Sequence, residues 1–168
     1  MGTEVAVAWG RPPGAPKVDA LLAAARDFGR AHHVEVQLLD AAAVVSADHL
    51  RSAAAHALRA RERDSMRSGS LAVELLLYAS GRRQIKEAMA VMGLTARTER
   101  VAAVVFGPEA GARGPALLRA LGLSPLSEKR AAGGAGALER LGVPVKGAAP
   151  EQLADLALEQ VALLDVEK

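Results

Sequence analysis

Two histidines, His49 and His56, are the first residues whose type and spacing could support chemistry. They are seven positions apart, a spacing that can place them on one face of a helix. The chain has no cysteine, no HExxH motif and no carboxylate that would complete a metal site. Asp48 is next to His49 in sequence and therefore lies on a different helix face. The pattern favours a packing or surface role, and we expect no catalytic residue, no metal ligand and no cofactor.

A glycine-rich segment, Gly107–Gly114, follows an apolar run and precedes a helical pattern. The turn from a strand into a helix is where α/β proteins often hold phosphate, because free N–H groups and the helix dipole favour an anion there. The segment matches neither GxGxxG nor GxxxxGK[ST], and Glu109 occupies the position where an anion would bind. A small α/β enzyme that binds a phosphorylated substrate at this loop is kept as an alternative.

A third candidate is the segment Ser80–Lys86, which joins two helical patterns and contains Gly81 and three cations. The second helix begins with free N–H groups and a partial positive charge, to which Arg82, Arg83 and Lys86 add full charges. Gly81 has no Cβ that would block the approach of a backbone phosphate. The segment therefore predicts a site for a phosphate of a nucleic acid.

The same segment also has a purely structural interpretation. Gly81 would end the first helix by adopting a positive φ. Ile85, Ala88, Met89 and Met92 would then form an ordinary core face of the second helix. Spacing alone does not separate the two interpretations.

The elements around these segments predict a single α/β domain, over residues 1–168, with a small β-sheet flanked by several helices. Hydrophobic residues make up 51% of the chain and aromatic residues only 2%, so alanine, leucine and valine must fill the core, with alanine favouring closely spaced helices. The apolar runs are shorter than the roughly 18–20 residues that span a bilayer. We expect no membrane association and a soluble cytoplasmic protein.

Periodicity and end signals predict most of the element order. Apolar runs predict strands, and stripes at helical spacing, with Ser46 as an N-cap and Pro150 in a first turn, predict helices. The region from 122 to 149 is rich in glycine and proline and gives no clear prediction. The predicted strands are 5–9, 34–38 and 101–106, and the predicted helices are 18–30, 46–63, 71–79, 83–92, 115–121 and 150–164.

Charge is distributed unevenly along the chain. Residues 51–100 carry ten lysines and arginines against five acidic residues, whereas the net charge of the whole chain is only +2. A basic middle segment favours a polyanionic partner. An arginine-rich, solvated surface would give the same pattern.

Three blocks of the sequence together resemble the kinase-associated small subunit of the KEOPS complex, also called the PRPK-binding protein family. The central block is an apolar helix that ends in Ser-Gly and is followed by a basic residue, Gln and Ile. A second block follows the second strand, and a third is the C-terminal helix. The matching residues are Leu75–Tyr78, Ser80, Gly81, Arg83–Ile85, Ala88 and Gly93; Asp40, Ala41, Val45, Ser46, His49, Leu50 and Ala54; and Leu156–Leu164.

The resemblance implies an α/β fold with a mixed sheet and no catalytic activity. It implies two partners, namely the small atypical kinase of the complex and tRNA, which is engaged through its single-stranded 3′ CCA end. The complex makes threonylcarbamoyladenosine in tRNA, and another subunit performs the transfer. An adaptor that binds only protein is a further alternative.

On this basis we predict roles for individual residues. Arg82 and Arg83 would bind phosphate, Gln84 would bond a base or ribose, and Ile85 would pack on a base. Tyr78 could stack on a base or belong to the core. The predicted tRNA-binding residues are Ser80, Gly81, Arg82, Arg83, Gln84, Ile85 and Lys86, with Ala88 and Met89 as secondary candidates. The predicted kinase interface is on the C-terminal helix, at Leu153, Leu156, Gln160 and Leu164.

Overall fold

A four-stranded antiparallel sheet organises the chain in the computed structural model, which describes residues 2–166. The strand order is β2-β3-β1-β4, and each of the three pairings is antiparallel. The α/β class is confirmed. The mixed sheet implied by the family resemblance is wrong for this chain, since none of these pairings is parallel.

The predicted elements are present with small changes at their ends. β3 has the predicted bounds, the helix predicted from 115 starts five residues earlier, and region 122–149 contains two short helices and a two-residue strand. The elements are β1 Val5–Arg11, α1 Val18–His32, β2 Glu35–Asp40, a 3-10 turn Ala41–Ala43, α2 Ala47–Glu62, α3 Leu71–Ser80, α4 Ile85–Met92, β3 Val101–Phe106, α5 Ala110–Leu121, β4 Ser124–Pro125, α6 Glu128–Ala131, α7 Gly134–Arg140 and α8 Pro150–Val166.

The central strand β3 divides the core into two layers. All six of its residues are buried, and alternate residues face opposite sides of the sheet. Ala102, Val104 and Phe106 pack with α2, α3 and α8. Val101, Ala103 and Val105 pack with α1 and α5. Helices therefore cover both faces of the sheet, and the larger apolar cluster lies beneath α3.

An antiparallel hairpin of α2 and α3 carries the Ser-Gly segment at one end. Ser46 and Ser70 cap the two helices, since their Oγ atoms accept hydrogen bonds from the N–H groups of His49 and Val73. On α2, the residues Ala53, Ala54, Ala57 and Ala60 are buried, and their small side chains allow close packing, as the alanine-rich composition predicts. The end of α3 is therefore held at the start of α2.

The loop between α2 and α3 is built around the buried carboxylate of Glu74. This carboxylate accepts hydrogen bonds from the backbone N–H groups of Arg67 and Ser68 and from the Ser68 hydroxyl. A buried carboxylate is costly unless such donors surround it. Glu74 thus fixes the hairpin at the end opposite the Ser-Gly segment.

The last helix, α8, packs across both helices of this hairpin. Ala157, Val161 and Leu164 form its buried stripe. Within residues 2–166 no helix combines the length and the apolar character that a membrane crossing needs.

Candidate nucleic-acid interface

The end of α3 is a Schellman turn, and this turn shapes the candidate site. Gly81 has φ +68°, a left-handed conformation that glycine adopts without strain. Its N–H bonds to the carbonyl of Tyr78, and the N–H of Arg82 bonds to that of Leu77, which is the pattern of this motif. The predicted positive φ at Gly81 is confirmed. A Cβ at this position would meet the Gln160 Oε1 atom of α8 at 3.4 Å.

Ser80 belongs to the interior of the turn. It is 1% exposed. Its hydroxyl donates to the Leu77 carbonyl and accepts from the N–H of Arg82, both at 3.2 Å. The side chain that was predicted to contact RNA therefore offers no surface in this conformation and stabilises the turn instead.

Arg82 differs from Arg83 in its surroundings. The Arg82 guanidinium donates to the Ser80 carbonyl and to the Leu141 carbonyl just after α7, each at 3.2 Å. The bond to Leu141 connects the turn to the segment after α7, and each terminal nitrogen of the guanidinium makes one of the two bonds. Arg83 is exposed. Of the two arginines predicted to bind phosphate, Arg83 is the one placed on the surface, whereas Arg82 braces the turn.

The start of α4 separates core residues from surface residues. Ala88 and Met92 are fully buried, whereas Ile85 is 49% exposed and Met89 is 41% exposed. Gln84 and Lys86 are also exposed. The purely structural interpretation assigned all four apolar residues of α4 to the core. It is correct for Ala88 and Met92 and wrong for Ile85 and Met89. An exposed isoleucine beside cations is available to contact an apolar group.

The N-terminus of α4 adds to the cationic character of this surface. Gln84 is the N-cap residue and has extended backbone geometry, and its side chain makes no capping hydrogen bond. The first N–H groups of the helix lack a partner inside the helix, and the helix dipole places partial positive charge there. Arg83 and Lys86 flank this position, and Glu87 in the first turn offsets part of their charge.

Tyr78 is part of the core and is not a stacking surface. Its side chain is fully buried, and its hydroxyl donates to Asp165 Oδ1 of α8. Burial raises the pKa of Tyr78, and the hydrogen bond and negative charge of Asp165 raise it further. Of the two roles considered for Tyr78, the core role is correct.

The histidines have packing roles. His49 is fully buried; its Nδ1 accepts from the N–H of Val45 at 3.1 Å, and its Nε2 lies 2.8 Å from the carbonyl of Ala79. This arrangement requires the neutral ring with the proton on Nε2. His56 Nδ1 lies 2.5 Å from Asp165 Oδ2. Within the described part of the chain no group of acidic residues and histidines could hold a metal ion.

The glycine-rich loop before α5 already contains the chain's own carboxylates. The N–H of Glu109 donates to Glu4 Oε2 at 2.6 Å, and the Glu109 carboxylate pairs with Arg113 at 3.0 Å. Two acidic side chains thus stand where a phosphate would bind, and they oppose a second anion. The sequence anticipated Glu109 but missed Glu4, which is brought there by the first strand.

The C-terminal helix presents a different surface from the one predicted. Leu164 is 1% exposed, and Leu153 and Leu156 pack against the core. Gln160 is half-buried beside Gly81. Leu164 therefore offers no surface to a partner, because the same helical stripe that suggested a contact face is used within the chain. The large apolar residues of α8 that are exposed are Leu158, Leu163 and Val166.

Asp165 is the structurally important residue that sequence reasoning missed. It bonds to both His56 and Tyr78, which are 109 and 87 positions away. The one local signal is its place next to Leu164 in the apolar stripe of α8, where a carboxylate falls at the edge of the buried face. That position indicates partial burial but not the partners.

Comparison with known proteins identifies the family. Residues 17–124 match the family described as "Kinase binding protein CGI-121", a range that includes α1 to α5 and the whole Ser-Gly segment. No individual curated protein matches the sequence. The chain belongs to the CGI-121 family of kinase-binding proteins, which is the PRPK-binding family of KEOPS.

Proposed function

We propose that this chain is a non-catalytic subunit that binds the 3′ CCA end of tRNA and delivers it to the KEOPS complex. The observation that carries the proposal is the group of exposed residues around the Schellman turn. Cationic, polar and apolar side chains lie side by side there, next to a glycine at positive φ. This is the combination that single-stranded RNA needs, with cations for phosphates and an apolar surface for bases. The tRNA-binding residues are Gly81, Arg83, Gln84, Ile85, Lys86 and Met89, while Ser80 and Arg82 hold the turn.

Each exposed residue has a role that follows from its chemistry. Arg83 and Lys86 bind phosphate oxygens through charge-assisted hydrogen bonds. Gln84 hydrogen-bonds a base edge or a ribose. Ile85 packs on the face of a base, and Met89, one helical turn further, extends this apolar surface.

The second partner is the small kinase of the complex, and we place its docking surface on α8. Family membership supports a kinase partner. The exposed leucines of α8, Leu158 at 37% and Leu163 at 39%, are large apolar side chains that such an interface would bury. They replace the buried Leu164 in the proposed interface. Leu153, Leu156 and Gln160 stay in it because each is only half-buried.

In this proposal the chain contributes substrate binding to threonylcarbamoyladenosine formation in the cytoplasm, and another subunit performs the transfer. The purified, kinase-free chain should then hydrolyse no nucleotide. Hydrolysis that is lost when Glu109 or Arg113 is replaced by alanine would instead favour an enzyme with its site at the Gly107–Gly114 loop.

A paired-variant experiment tests both partner assignments. Binding of tRNA, with and without its CCA end, and of the kinase is measured for Ile85→Glu and Leu158→Glu. Both substitutions place a carboxylate on an exposed apolar position. Ile85→Glu should lose tRNA and retain the kinase, whereas Leu158→Glu should do the reverse. Equal binding of intact and trimmed tRNA, or unchanged tRNA binding by Ile85→Glu, would remove the proposed RNA site.

A further inference from the structure

A groove of about 660 Å³ lies at the end of the sheet opposite the Ser-Gly segment. It is bounded by the C-terminal half of α1, the start of β2, the end of β3 and the start of α3. The helix α3 runs from this groove to Gly81, and its ten residues span about 15 Å at 1.5 Å per residue. The groove is therefore separate from the proposed CCA site but close to it.

The rim of the groove is cationic. Its three exposed cations are Arg26, Arg30 and Arg61, and Glu35 is the one acidic residue among its lining residues. Within residues 2–166, the Arg26 side chain makes no hydrogen bond or ion pair. Arg30 pairs with Asp27, but both side chains are exposed, and such ion pairs are weak. Arg61 donates to Thr3 Oγ1 at 2.7 Å, which holds its guanidinium across the groove.

The floor of the groove is apolar. Val36 and Gly107 are half-buried there, and Ala25 and Val34 keep 5% and 7% of their surface, whereas Leu71 and Phe106 are almost fully buried behind them. At Gly107, φ is +140° and a Cβ would meet Val34 at 2.9 Å, so the glycine allows Val34 to pack directly against this part of the backbone. Cations around an apolar floor match the chemistry of a nucleotide, in which a sugar links a charged phosphate to a flat base.

We propose that this groove is a second RNA-contact site, which binds nucleotides that precede the terminal CCA of the same tRNA. The inference rests on the RNA-binding function proposed above, because it assigns the groove a further part of the bound RNA. Arg26 and Arg61 contact backbone phosphates, and the apolar floor receives a base or ribose. Two sites along α3 bind one molecule more tightly than either alone, because the second contact is intramolecular.

The test compares three ligands: full-length tRNA, a short single-stranded oligonucleotide that ends in CCA, and AMP. They distinguish nucleotides upstream of the CCA end, the CCA end itself and a free nucleotide as the occupant of the groove. The groove variant is Arg26→Ala/Arg61→Ala. The matched control is Arg11→Ala/Arg119→Ala, which removes the same charge from two exposed arginines outside the groove. Arg83→Ala reports independently on the CCA site.

The groove variant should bind full-length tRNA about tenfold more weakly than the control does, with unchanged affinity for the short oligonucleotide. Arg83→Ala should weaken binding of both RNAs. If the groove variant and the control bind full-length tRNA equally, or if the groove variant weakens both RNAs to the same extent, the inference is wrong. A further outcome would also overturn the inference: if the groove variant abolishes AMP binding, the control does not, and tRNA binding is unchanged, the groove binds a free nucleotide. If instead Arg83→Ala has no effect on either RNA, the proposed function itself fails.

Discussion

Asp165 of α8 bonds to His56 of α2, with 2.5 Å between Oδ2 and Nδ1, and its other carboxylate oxygen accepts from the hydroxyl of Tyr78 in α3. The rings of His56 and Tyr78 are 5.3 Å apart. One carboxylate therefore joins the C-terminal helix to both helices of the hairpin that carries the Ser-Gly segment. The Asp165 side chain is 34% exposed, whereas that of His56 is 15% exposed.

We expect Asp165→Ala to lower the free energy of unfolding by about 1–3 kcal/mol, because the hydrogen bonds that this carboxylate makes to His56 and to the buried Tyr78 hydroxyl are lost. Thermal melting should show a decrease of several degrees. Asp155→Ala on the same helix is the control; Asp155 is exposed, and its loss should change stability by less than about 0.5 kcal/mol. Identical melting of the two variants would mean that Asp165 does not hold α8 in place.

Stability should decrease at mildly acidic pH because of His49. Burial lowers the pKa of His49 from its ordinary 6.5, and the hydrogen bond to Ala79 only partly opposes this. The unfolded chain therefore takes up the proton first, so this contribution to stability is present above pH 6.5 and is lost as pH falls below it. The slope is at most about 1.4 kcal/mol per pH unit for one group.

Urea unfolding between pH 7.5 and pH 5 measures this effect. His49→Gln should unfold with a shallower pH dependence than the wild-type chain over that range. His33→Asn, at an exposed position with positive φ that asparagine tolerates, should retain more of the wild-type dependence. A pH dependence of His49→Gln as steep as that of the wild-type chain would assign the acid sensitivity to another group.

Substitution to glutamate should affect thermal stability differently on the buried and the exposed face of α4. Ala88→Glu buries a carboxylate at a fully buried position, at a cost of several kcal/mol, and the variant should melt early or be insoluble. Ile85→Glu should melt within a few degrees of the wild-type chain because half of the Ile85 side chain already faces solvent. Early melting of Ile85→Glu would show that Ile85 acts mainly in packing.

Replacing each of the two neighbouring arginines by alanine should change a different property, stability for Arg82 and tRNA affinity for Arg83. Arg82→Ala removes the hydrogen bonds to the carbonyls of Ser80 and Leu141, so the free energy of unfolding should decrease by about 1–2 kcal/mol. Arg83→Ala should lower the free energy of unfolding by less than Arg82→Ala does, because interactions of an exposed arginine contribute little to stability. It should weaken tRNA binding by about ten- to a hundredfold, which corresponds to one charge-assisted contact. The reverse pattern would assign the phosphate contact to Arg82.

Binding of tRNA should weaken with added salt, and the slope of log affinity against log salt should be about −1 to −3, since few phosphates are neutralised on a short single strand. Lys86→Ala should reduce the magnitude of this slope by about one. A slope that Lys86→Ala leaves unchanged would exclude a phosphate contact at that residue.

Local features of the chain were predictable because they depend on a few neighbouring residues. Ser46 caps α2, Gly81 adopts a positive φ and Pro150 begins α8, and each follows from backbone geometry within about one helical turn. The central strand, residues 101–106, was predictable for a related reason, since a continuous apolar run bounded by Gly-Pro suits a strand buried on both faces.

The sequence by itself determined the α/β class, the positions of most elements and the location of a cationic segment at a helix start. Only the tertiary structure decided which side chains of that segment face solvent: Ile85 points outward, whereas Ser80 is buried and Arg82 bonds to Leu141. It also brought Asp165 to His56 and Glu4 to Glu109, across 109 and 105 positions. Periodicity describes one element at a time, whereas these contacts depend on how separate elements pack, and no local pattern of residues encodes that arrangement.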